Sequence, residues 1–236
     1  MTPLLAADSF TVRDGRVRGL SLHVQRFLAA CRAQGYPVEA GEVYRLLATA
    51  AGRPRLELSA GGVTLRNRPP RPESETATLS AAPVTDPRRT PAIKGPDIPV
   101  LQQLLAEVDE DERLLLDEAG DVVECCFATP ILFTPGSIMD DIPWRAEFPQ
   151  HPDQLDSVTS RLVRRALLWL GVTVLETEPV APDKLLSGRA WLLNSTHVRR
   201  VSNPVSEPWP LELVWLQEEV TTWLDRHAEE LPRPTG

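Results

Sequence analysis

The sequence Arg88-Arg89-Thr90-Pro91-Ala92-Ile93-Lys94-Gly95-Pro96-Asp97 separates two parts of the chain and contains its most informative residue, Lys94. Of the 25 basic residues only Lys94 and Lys184 are lysines, and all the others are arginines. Lysine has one chemistry that arginine lacks, because its amine can lose a proton and condense with a carbonyl group. A lysine in so arginine-rich a chain indicates a chemical role, although a solvated loop residue is the ordinary interpretation of one lysine alone.

Length and composition are those of a globular protein. The 236 residues suffice for one large domain or two smaller ones. A net charge of -8 argues against a general nucleic-acid binder, and no apolar run reaches the roughly 18 residues that span a bilayer. The three cysteines, Cys31, Cys125 and Cys126, fit neither a disulfide framework nor a zinc motif. We therefore expect a cytoplasmic protein without a metal, a membrane anchor or a nucleic-acid partner.

Prolines mark the predicted domain boundary. Six of them fall within residues 69–93, a stretch with few large apolar side chains. Such punctuation is typical of an edge strand followed by a connection between domains. We therefore predict a small N-terminal α+β domain over residues 1–85, a linker over 86–93 and a larger C-terminal α+β domain over 94–236.

Hydrophobic periodicity predicts strands in hairpins with the helices segregated from them, which is typical of α+β proteins. No glycine-rich turn of the nucleotide-binding kind is present. Residues 135–154, rich in Pro and Asp, are predicted to form a loop. The predicted strands cover residues 8–13, 16–20, 55–58, 63–68, 76–79, 113–116, 122–126, 129–133, 172–176 and 190–194, and the predicted helices begin at 22 and cover 40–51, 98–108, 157–171 and 211–231.

Two charged residues have patterns that suit a ligand. Arg26, in His23-Val24-Gln25-Arg26, could hold a phosphate through paired hydrogen bonds, or could belong to a solvated helix face. Glu124 lies among apolar strand residues. If Glu124 points inward it needs a cation, and a protonated pyridine nitrogen would serve. If it follows the strand alternation outward, it needs none.

Two polar segments complete the set. Val158 and Thr159 begin the strongest predicted helix, where backbone N–H groups can bind an anion, although ordinary N-capping by Asp156 or Ser157 is the alternative. Asn194 opens a polar loop directly after an apolar strand. Together, a rare lysine, a carboxylate for a ring nitrogen, a phosphate-binding arginine and a helix-start anion site specify pyridoxal 5'-phosphate.

The order of these segments resembles the class IV pyridoxal-phosphate aminotransferases, which include branched-chain and D-amino-acid transaminases and 4-amino-4-deoxychorismate lyase. The resemblance implies a two-domain, D-amino acid aminotransferase-like enzyme of fold type IV with a shortened N-terminal domain. The similar segments are Asp8-Ser9-Phe10, Leu22-His23-Val24-Gln25-Arg26-Phe27, Ile93-Lys94-Gly95, Val123-Glu124, Leu155-Asp156-Ser157-Val158-Thr159 and Asn194-Ser195-Thr196-His197-Val198-Arg199-Arg200-Val201.

The resemblance also implies a role for each site residue. Lys94 would form the Schiff base and act as acid and base, with Ser9 assisting proton delivery. Arg88 or Arg199 would bind a substrate carboxylate. The remaining predicted cofactor-binding residues are Arg26, Val158, Thr159 and Asn194 at the phosphate and Glu124 at the ring nitrogen. The chain departs from the family pattern at Asp156-Ser157, where the family has Pro-Gly, so an acid stands beside the predicted phosphate site.

Within the family, the residues favour a lyase. Glu124-Cys125-Cys126 and Asn194-Ser195 with His197 resemble the lyase pattern. The predicted reaction converts 4-amino-4-deoxychorismate into 4-aminobenzoate and pyruvate. A class IV amino acid transaminase is the close alternative, and a non-catalytic scaffold with the same fold is a third possibility. The resemblance further implies a homodimer.

Overall fold

The computed structural model of the chain describes residues 3–137, 142–203 and 208–233. The helices are α1 (Leu20–Ala33), α2 (Ala40–Leu47), α3 (Ile98–Leu105), α4 (Val158–Trp169), α5 (Pro182–Ser187) and α6 (Leu211–Arg226). The strands are β1 (Ala6–Ser9), β2 (Arg16–Val17), β3 (Arg55–Ser59), β4 (Gly62–Arg66), β5 (Thr76–Ala77), β6 (Val84–Thr85), β7 (Leu114–Leu116), β8 (Val122–Cys125), β9 (Thr129–Pro135), β10 (Trp144–Pro149), β11 (Thr173–Thr177), β12 (Arg189–Leu193), β13 (Val198–Val201) and β14 (Glu229–Glu230).

The first part of the chain builds a small antiparallel sheet in the order β1-β3-β4. Helix α1 packs on it through Leu20, Val24, Phe27 and Cys31, which recur every three or four residues and are all buried. The predicted hairpin between β3 and β4 is confirmed. This packing places the inner face of α1, which includes His23, against β1.

A six-stranded sheet in the order β11-β10-β9-β12-β13-β5 forms the core of the second part. Side chains alternate between its faces, as expected for strands. Ile131 and Phe133 join a cluster with helices α4 and α6, while Leu132 joins a second cluster with Leu114 and Val122. Both faces of the sheet are therefore covered, and the first turn of α4 lies near the start of β9, at Thr129.

Connections between the two parts position the site. A three-stranded sheet in the order β6-β7-β8 carries Glu124, and β6 runs parallel to β7. Strand β5 pairs with β13 of the large sheet, and β14 returns to pair with β2. The domain division at residue 85 stays a prediction, but β5 and β6, which it assigns to the N-terminal domain, hydrogen-bond strands of the second part.

Five local predictions were wrong. The predicted strand over 16–20 ends at Val17, because α1 begins at Leu20 directly after Gly19, before the predicted helix start at 22. The predicted helix over 211–231 ends at Arg226, and Glu229–Glu230 form β14, which pairs with β2.

Three further differences concern strands. The predicted loop over 135–154 contains β10, which lies inside the large sheet between β9 and β11; residues 138–141 lie outside the described part. Pro143 precedes this strand and Pro149 is its last residue. Because prolines are typical of loops, the alternating Trp144, Ala146 and Phe148 did not lead to a strand prediction. The first strand ends at Ser9 instead of residue 13, because it pairs with β3 over Ala6–Ser9. The polar loop after Asn194 contains β13, which pairs with β12.

Candidate active site

A cleft lies where α1 and the Lys94 segment meet β8, β9 and the start of α4. It encloses about 680 Å³ free of protein atoms, part of it open to solvent. Its lining includes His23, Arg26, Arg88, Ile93, Lys94, Glu124, Phe127, Thr129, Val158, Thr159, Asn194 and Ser195. The tertiary structure thus brings seven of the nine predicted site residues to one cavity, from five separate segments of the chain.

Lys94 is half-buried in the wall of this cleft. Its carbonyl oxygen accepts a hydrogen bond of 2.6 Å from the backbone N–H of Ala7, which ties the segment to β1. Removal from water and the nearby Arg26 guanidinium lower the pKa of Lys94 to about 8, against the opposing charges of Asp8 and Glu124. About a tenth of the amine is therefore unprotonated at pH 7, far more than for an ordinary lysine, and a nucleophilic lysine requires this form.

Gly95 permits this close approach to β1. Its φ is 140°, and a Cβ atom there would lie 2.7 Å from the nitrogen of Ala7 and 2.8 Å from the Cα of Ala6. Because both neighbours are backbone atoms, neither can move aside cheaply. We expect Gly95→Ala to lower the free energy of unfolding by about 1–3 kcal/mol or more, since it adds a steric clash to backbone strain. Chemical denaturation of the purified variant measures this.

Gly61→Ala is the matched control for that substitution. Gly61 does not have a positive φ, and its added Cβ would lie 3.6 Å from Ser59 Oγ, an ordinary contact. A Gly95→Ala protein as stable as the Gly61→Ala protein would show that the Lys94 segment can move away from β1 without cost.

Arg26 is held by a buried carboxylate. Asp8 is fully buried, and its two oxygens accept from Arg26 Nε at 2.8 Å and Nη2 at 2.9 Å. Arg26 Nη1 donates to the carbonyl oxygen of Asp156 at 2.8 Å. Burial alone would lower the pKa of Arg26 and raise that of Asp8, but their mutual attraction reverses both shifts. Three of the five guanidinium N–H groups are thus engaged, and two can donate to an anion in the cleft.

His23 completes this group from the preceding turn of α1. Its Nδ1 lies 2.7 Å from Asp8 Oδ1. The ionised carboxylate can only accept a hydrogen bond, so Nδ1 carries the proton. Burial is the main cause that lowers the pKa of His23, so the ring is neutral at neutral pH. The Asp8–His23–Arg26 group therefore carries no net charge of its own, with one acid and one base ionised.

The start of α4 supplies backbone donors. Ser157 caps the helix by accepting from the Ser160 N–H at 3.2 Å, which leaves the Val158 and Thr159 N–H groups without a hydrogen-bond partner among the described residues, as is normal in a first turn. The Asp156 side chain does not line the cleft: it is exposed and lies 3.4 Å from Arg161. Its carboxylate is therefore directed away from the predicted phosphate position.

Asn194 shapes the polar loop on the opposite wall. Its Oδ1 accepts hydrogen bonds of 2.9 Å from the backbone N–H groups of Thr196 and His197. That leaves the side-chain amide N–H groups of Asn194 as donors. Thr196 Oγ1 accepts from Thr11 Oγ1 at 3.3 Å, so the loop also contacts the first part of the chain.

Glu124 faces the cleft from β8. Its residue exposure is only 5%, and Arg88 Nη1 donates to its Oε1. Burial raises the pKa of Glu124 to about 7, against the charges of Arg88 and Lys94 and a hydrogen bond from the Leu155 N–H. The strand alternation left its direction open, and the structure places it inside.

Two predicted residues lie outside the cleft lining, Ser9 and Arg199. Ser9 Oγ accepts from Arg68 Nη2 at 3.0 Å. Arg199 Nη2 lies 3.6 Å from an oxygen of the buried Glu112, behind the wall that contains Phe127. Their proposed roles at the reacting group stay predictions, and in this arrangement each side chain is engaged by another charged residue.

The sequence reasoning missed the functions of Asp8 and Arg68. Asp8 belongs to the family-like segment Asp8-Ser9-Phe10, but the resemblance assigned it no role. A carboxylate between Ala7 and Ser9 on a predicted strand is nevertheless a candidate for burial. Arg68 follows β4 and adds positive potential at Lys94. Burial and the neighbouring Arg53, Arg55 and Arg71 lower the pKa of Arg68 to about 10. The clustering of arginines on adjacent strands is visible in the sequence, but their approach to Lys94 is not.

These features fit pyridoxal phosphate on physical grounds. The cleft offers an amine of lowered pKa for an aldehyde, and a carboxylate with one oxygen turned to Arg88 and the other without a partner among the described residues. Arg26, Val158 and Thr159 all line the cleft, and Arg26 is hydrogen-bonded to Asp156 just before α4, so their unused N–H donors suit a phosphate.

Comparison with known proteins identifies the family. A sequence model of the amino-transferase class IV family matches residues 5–203. The chain belongs to this family of pyridoxal-phosphate-dependent enzymes, which confirms the resemblance and the predicted cofactor. No curated protein sequence matches the chain at a significant level.

Solved structures share the fold. A protein provisionally assigned as a 4-amino-4-deoxychorismate lyase is 24% identical, with a TM-score of 0.72 over 91% of this chain and 88% of that chain. The pyridoxal-phosphate-bound form of a hypothetical aminotransferase from Mycobacterium tuberculosis is 18% identical, with a TM-score of 0.72 over 93% and 88%. The branched-chain amino acid aminotransferase from Escherichia coli is 15% identical, with a TM-score of 0.68 over 90% and 82%. These matches confirm the predicted fold-type IV architecture.

None of the helices in residues 3–137, 142–203 and 208–233 is both long and apolar enough to cross a bilayer. Within the same ranges, no group of three or more His, Cys, Asp or Glu side chains is arranged to hold a metal ion.

Proposed function

We propose that the protein is a pyridoxal-phosphate-dependent lyase that converts 4-amino-4-deoxychorismate into 4-aminobenzoate and pyruvate. The observation that carries the proposal is the meeting of Lys94, Glu124, Arg26 and the α4 start in one cleft. When bound, the cofactor supplies an electron sink for bonds that break at the substrate α carbon. The proposal also includes a homodimer and a cytoplasmic location, which rest on the resemblance and the composition.

Each residue has a role that its surroundings support. Lys94 would hold the cofactor covalently, and its Nζ, with a pKa of about 8, can carry a proton to or from the reacting carbon near neutral pH. Glu124 would accept a hydrogen bond from the protonated ring nitrogen. Arg26 and Asn194 would donate to the phosphate.

Helix α4 would complete the phosphate site. The Val158 and Thr159 N–H groups begin a twelve-residue helix, whose dipole favours an anion at this end. Both residues are buried, which limits competition from water.

Positive charge near Lys94 suits a substrate with carboxylates. Arg68 acts on Lys94 electrostatically and donates to Ser9. The proposed substrate carries two carboxylates, so a guanidinium beside the reacting position would favour its binding. Ser9, at the end of β1, is next to that guanidinium and could orient it toward the cleft.

A class IV amino acid transaminase is the alternative, and two observations favour the lyase. Cys126, of the lyase-like Glu124-Cys125-Cys126 sequence, lines the cleft, as do Asn194 and Ser195. The resemblance implies a tyrosine soon after the lysine in branched-chain transaminases, whereas the only tyrosines of this chain, Tyr36 and Tyr44, are exposed residues outside the cleft lining.

The reaction is tested by supplying 4-amino-4-deoxychorismate to the cofactor-loaded protein and measuring 4-aminobenzoate and pyruvate by chromatography. We expect equimolar release of both without any keto-acid acceptor. A parallel reaction with an amino acid donor and 2-oxoglutarate measures glutamate. Glutamate formation without release of 4-aminobenzoate would assign the transaminase, and a protein that stays colourless with added cofactor would assign the non-catalytic scaffold.

A further inference from the structure

Hydrogen bonds fix the orientation of the Arg88 guanidinium, chiefly along its Nε–Nη2 edge. Its Nε contacts Asp86 Oδ1 at 2.9 Å and Oδ2 at 3.0 Å, and its Nη2 lies 2.7 Å from Asp86 Oδ2. Nη2 also donates to the carbonyl oxygen of Asp153 at 3.1 Å, and Nη1 donates to Glu124. Four of the five N–H donors are therefore used by this chain.

Asp86, which holds the Arg88 side chain, is itself fixed by backbone hydrogen bonds. Asp86 directly follows β6, and its N–H donates to the carbonyl oxygen of Leu116 at 2.8 Å. Asp86 Oδ1 also accepts from the Arg88 N–H at 3.0 Å, which closes a tight turn. The Arg88 side chain is only 5% exposed. A side chain held this way has little freedom to turn toward a substrate.

The partner of Arg88 is the carboxylate that faces the cofactor position. Arg88 and the Leu155 N–H both contact Oε1 of Glu124, and Oε2 has no hydrogen-bond partner among the described residues. The charged groups that act on Glu124 are Arg88 from the linker, Lys94 from the segment after it, and Arg26 from α1. Arg88 is the only one of these three that touches Glu124.

We propose that Arg88 is a positioning residue for Glu124: it fixes the direction of the carboxylate and favours its ionised form, instead of binding a substrate carboxylate. The proposal rests on the proposed function, in which Glu124 pairs with the protonated ring nitrogen of the cofactor. A protonated carboxyl group could not form that ion pair. The buried Glu124 therefore needs a fixed neighbouring cation throughout the working pH range.

The direction of the pH effect follows from the charges. Burial raises the pKa of Glu124 and Arg88 lowers it, with a result of about 7. Without the Arg88 charge the pKa rises further, so Glu124 becomes protonated at neutral pH. The ion pair with the ring nitrogen would then form only at more alkaline pH. Arg88→Gln removes the charge and keeps a hydrogen-bond donor, whereas Arg88→Lys keeps the charge and loses the planar fork.

The test titrates the absorbance of the bound cofactor against pH in the parent and in Arg88→Gln, alongside the cofactor Kd and the substrate KM. In Arg88→Gln we expect the acid-side transition in cofactor absorbance to occur at a pH higher by about one unit or more. The Kd of the cofactor should rise by about tenfold, and the KM of the substrate should change by less than about threefold. Arg88→Lys should restore most of the pH shift. Arg89→Gln, at the exposed neighbouring arginine, should behave as the parent.

Other outcomes overturn the proposal. A raised KM with an unchanged pH transition would assign Arg88 to the substrate. If Arg88→Gln does not fold, Arg88→Met, which also removes the charge, should move the transition in the same direction, and an unmoved transition contradicts the positioning role. A parent protein that takes up no cofactor contradicts the proposed function itself, whereas a parent that binds it and an Arg88→Gln protein that titrates identically contradict only the role of Arg88.

Discussion

Lys94→Ala is expected to abolish covalent attachment of pyridoxal phosphate and to lower the rate of the proposed reaction by at least about 10²–10⁴-fold, the usual contribution of an acid–base group. The amine is the only one in the cleft lining, which has no second lysine. Its pKa of about 8 makes it reactive near neutral pH. Borohydride reduction followed by mass spectrometry measures the attachment: the parent should retain the cofactor mass on the peptide that contains Lys94.

Lys184→Ala is the matched control, because it removes the only other lysine from an exposed position on α5. The control protein should retain the cofactor mass and the parent activity. Cofactor mass on the Lys94→Ala protein, or its loss from the Lys184→Ala protein, would contradict the assignment of Lys94 and would require a different attachment site.

Asp8→Ala should strongly destabilise the folded protein. It removes the carboxylate that holds Arg26 and His23 while leaving the guanidinium only 12% exposed. Breaking a buried ion pair by removing one partner typically costs about 3–5 kcal/mol, because the remaining charge is left without compensation. Urea denaturation at neutral pH measures the free energy of unfolding. We also expect weaker cofactor binding, since Arg26 would lose its fixed orientation.

Asp109→Ala, at an exposed carboxylate, controls for the loss of an acidic residue and should leave stability within about 0.5 kcal/mol of the parent. An Asp8→Ala protein that unfolds at the same urea concentration as this control would show that Arg26 and His23 are compensated by water or by other groups, contrary to the contacts described above.

The buried contacts of Asp8 with Arg26 and His23 also predict a pH dependence of the free energy of unfolding. The folded-state pKa of Asp8 is depressed, because Arg26 and His23 outweigh the effect of burial. A depressed carboxyl pKa stabilises the fold above the unfolded-state value, roughly 3.9, and this contribution is lost as pH falls toward the folded-state value. The stability difference between parent and Asp8→Ala should therefore be constant near neutral pH and shrink below about pH 4.

Much of the fold could be predicted because its signals are local. The recurrence of Leu22, Phe27, Ala30 and Cys31 predicts a helix at the position of α1, and the Gly61-Gly62 turn predicts the β3–β4 hairpin. Strand β10 could not be predicted this way. Its partner β11 is reached only after the crossover through α4, and the prolines at its two ends resemble those of a loop.

The sequence predicted which residue types form the candidate site and their order along the chain. It did not predict which of these side chains contact one another. Alternation on β8 leaves the direction of Glu124 open, because either face of a strand can be buried. Its contact with Arg88 joins residues 36 positions apart. For the same reason Arg88 and Arg199 were interpreted as free cations, although each faces carboxylates of this chain.

The sequence by itself determined the identity of the chemistry: a rare lysine, an arginine, a carboxylate and a helix start, in an order that resembles one family. The tertiary structure decided which groups are held by one another, because hydrogen bonds and ion pairs depend on distances between segments. The Arg26–Asp156 contact spans 130 residues. It also decided which charges are buried, and therefore that Asp8 and Arg88 hold the side chains that would bind the cofactor.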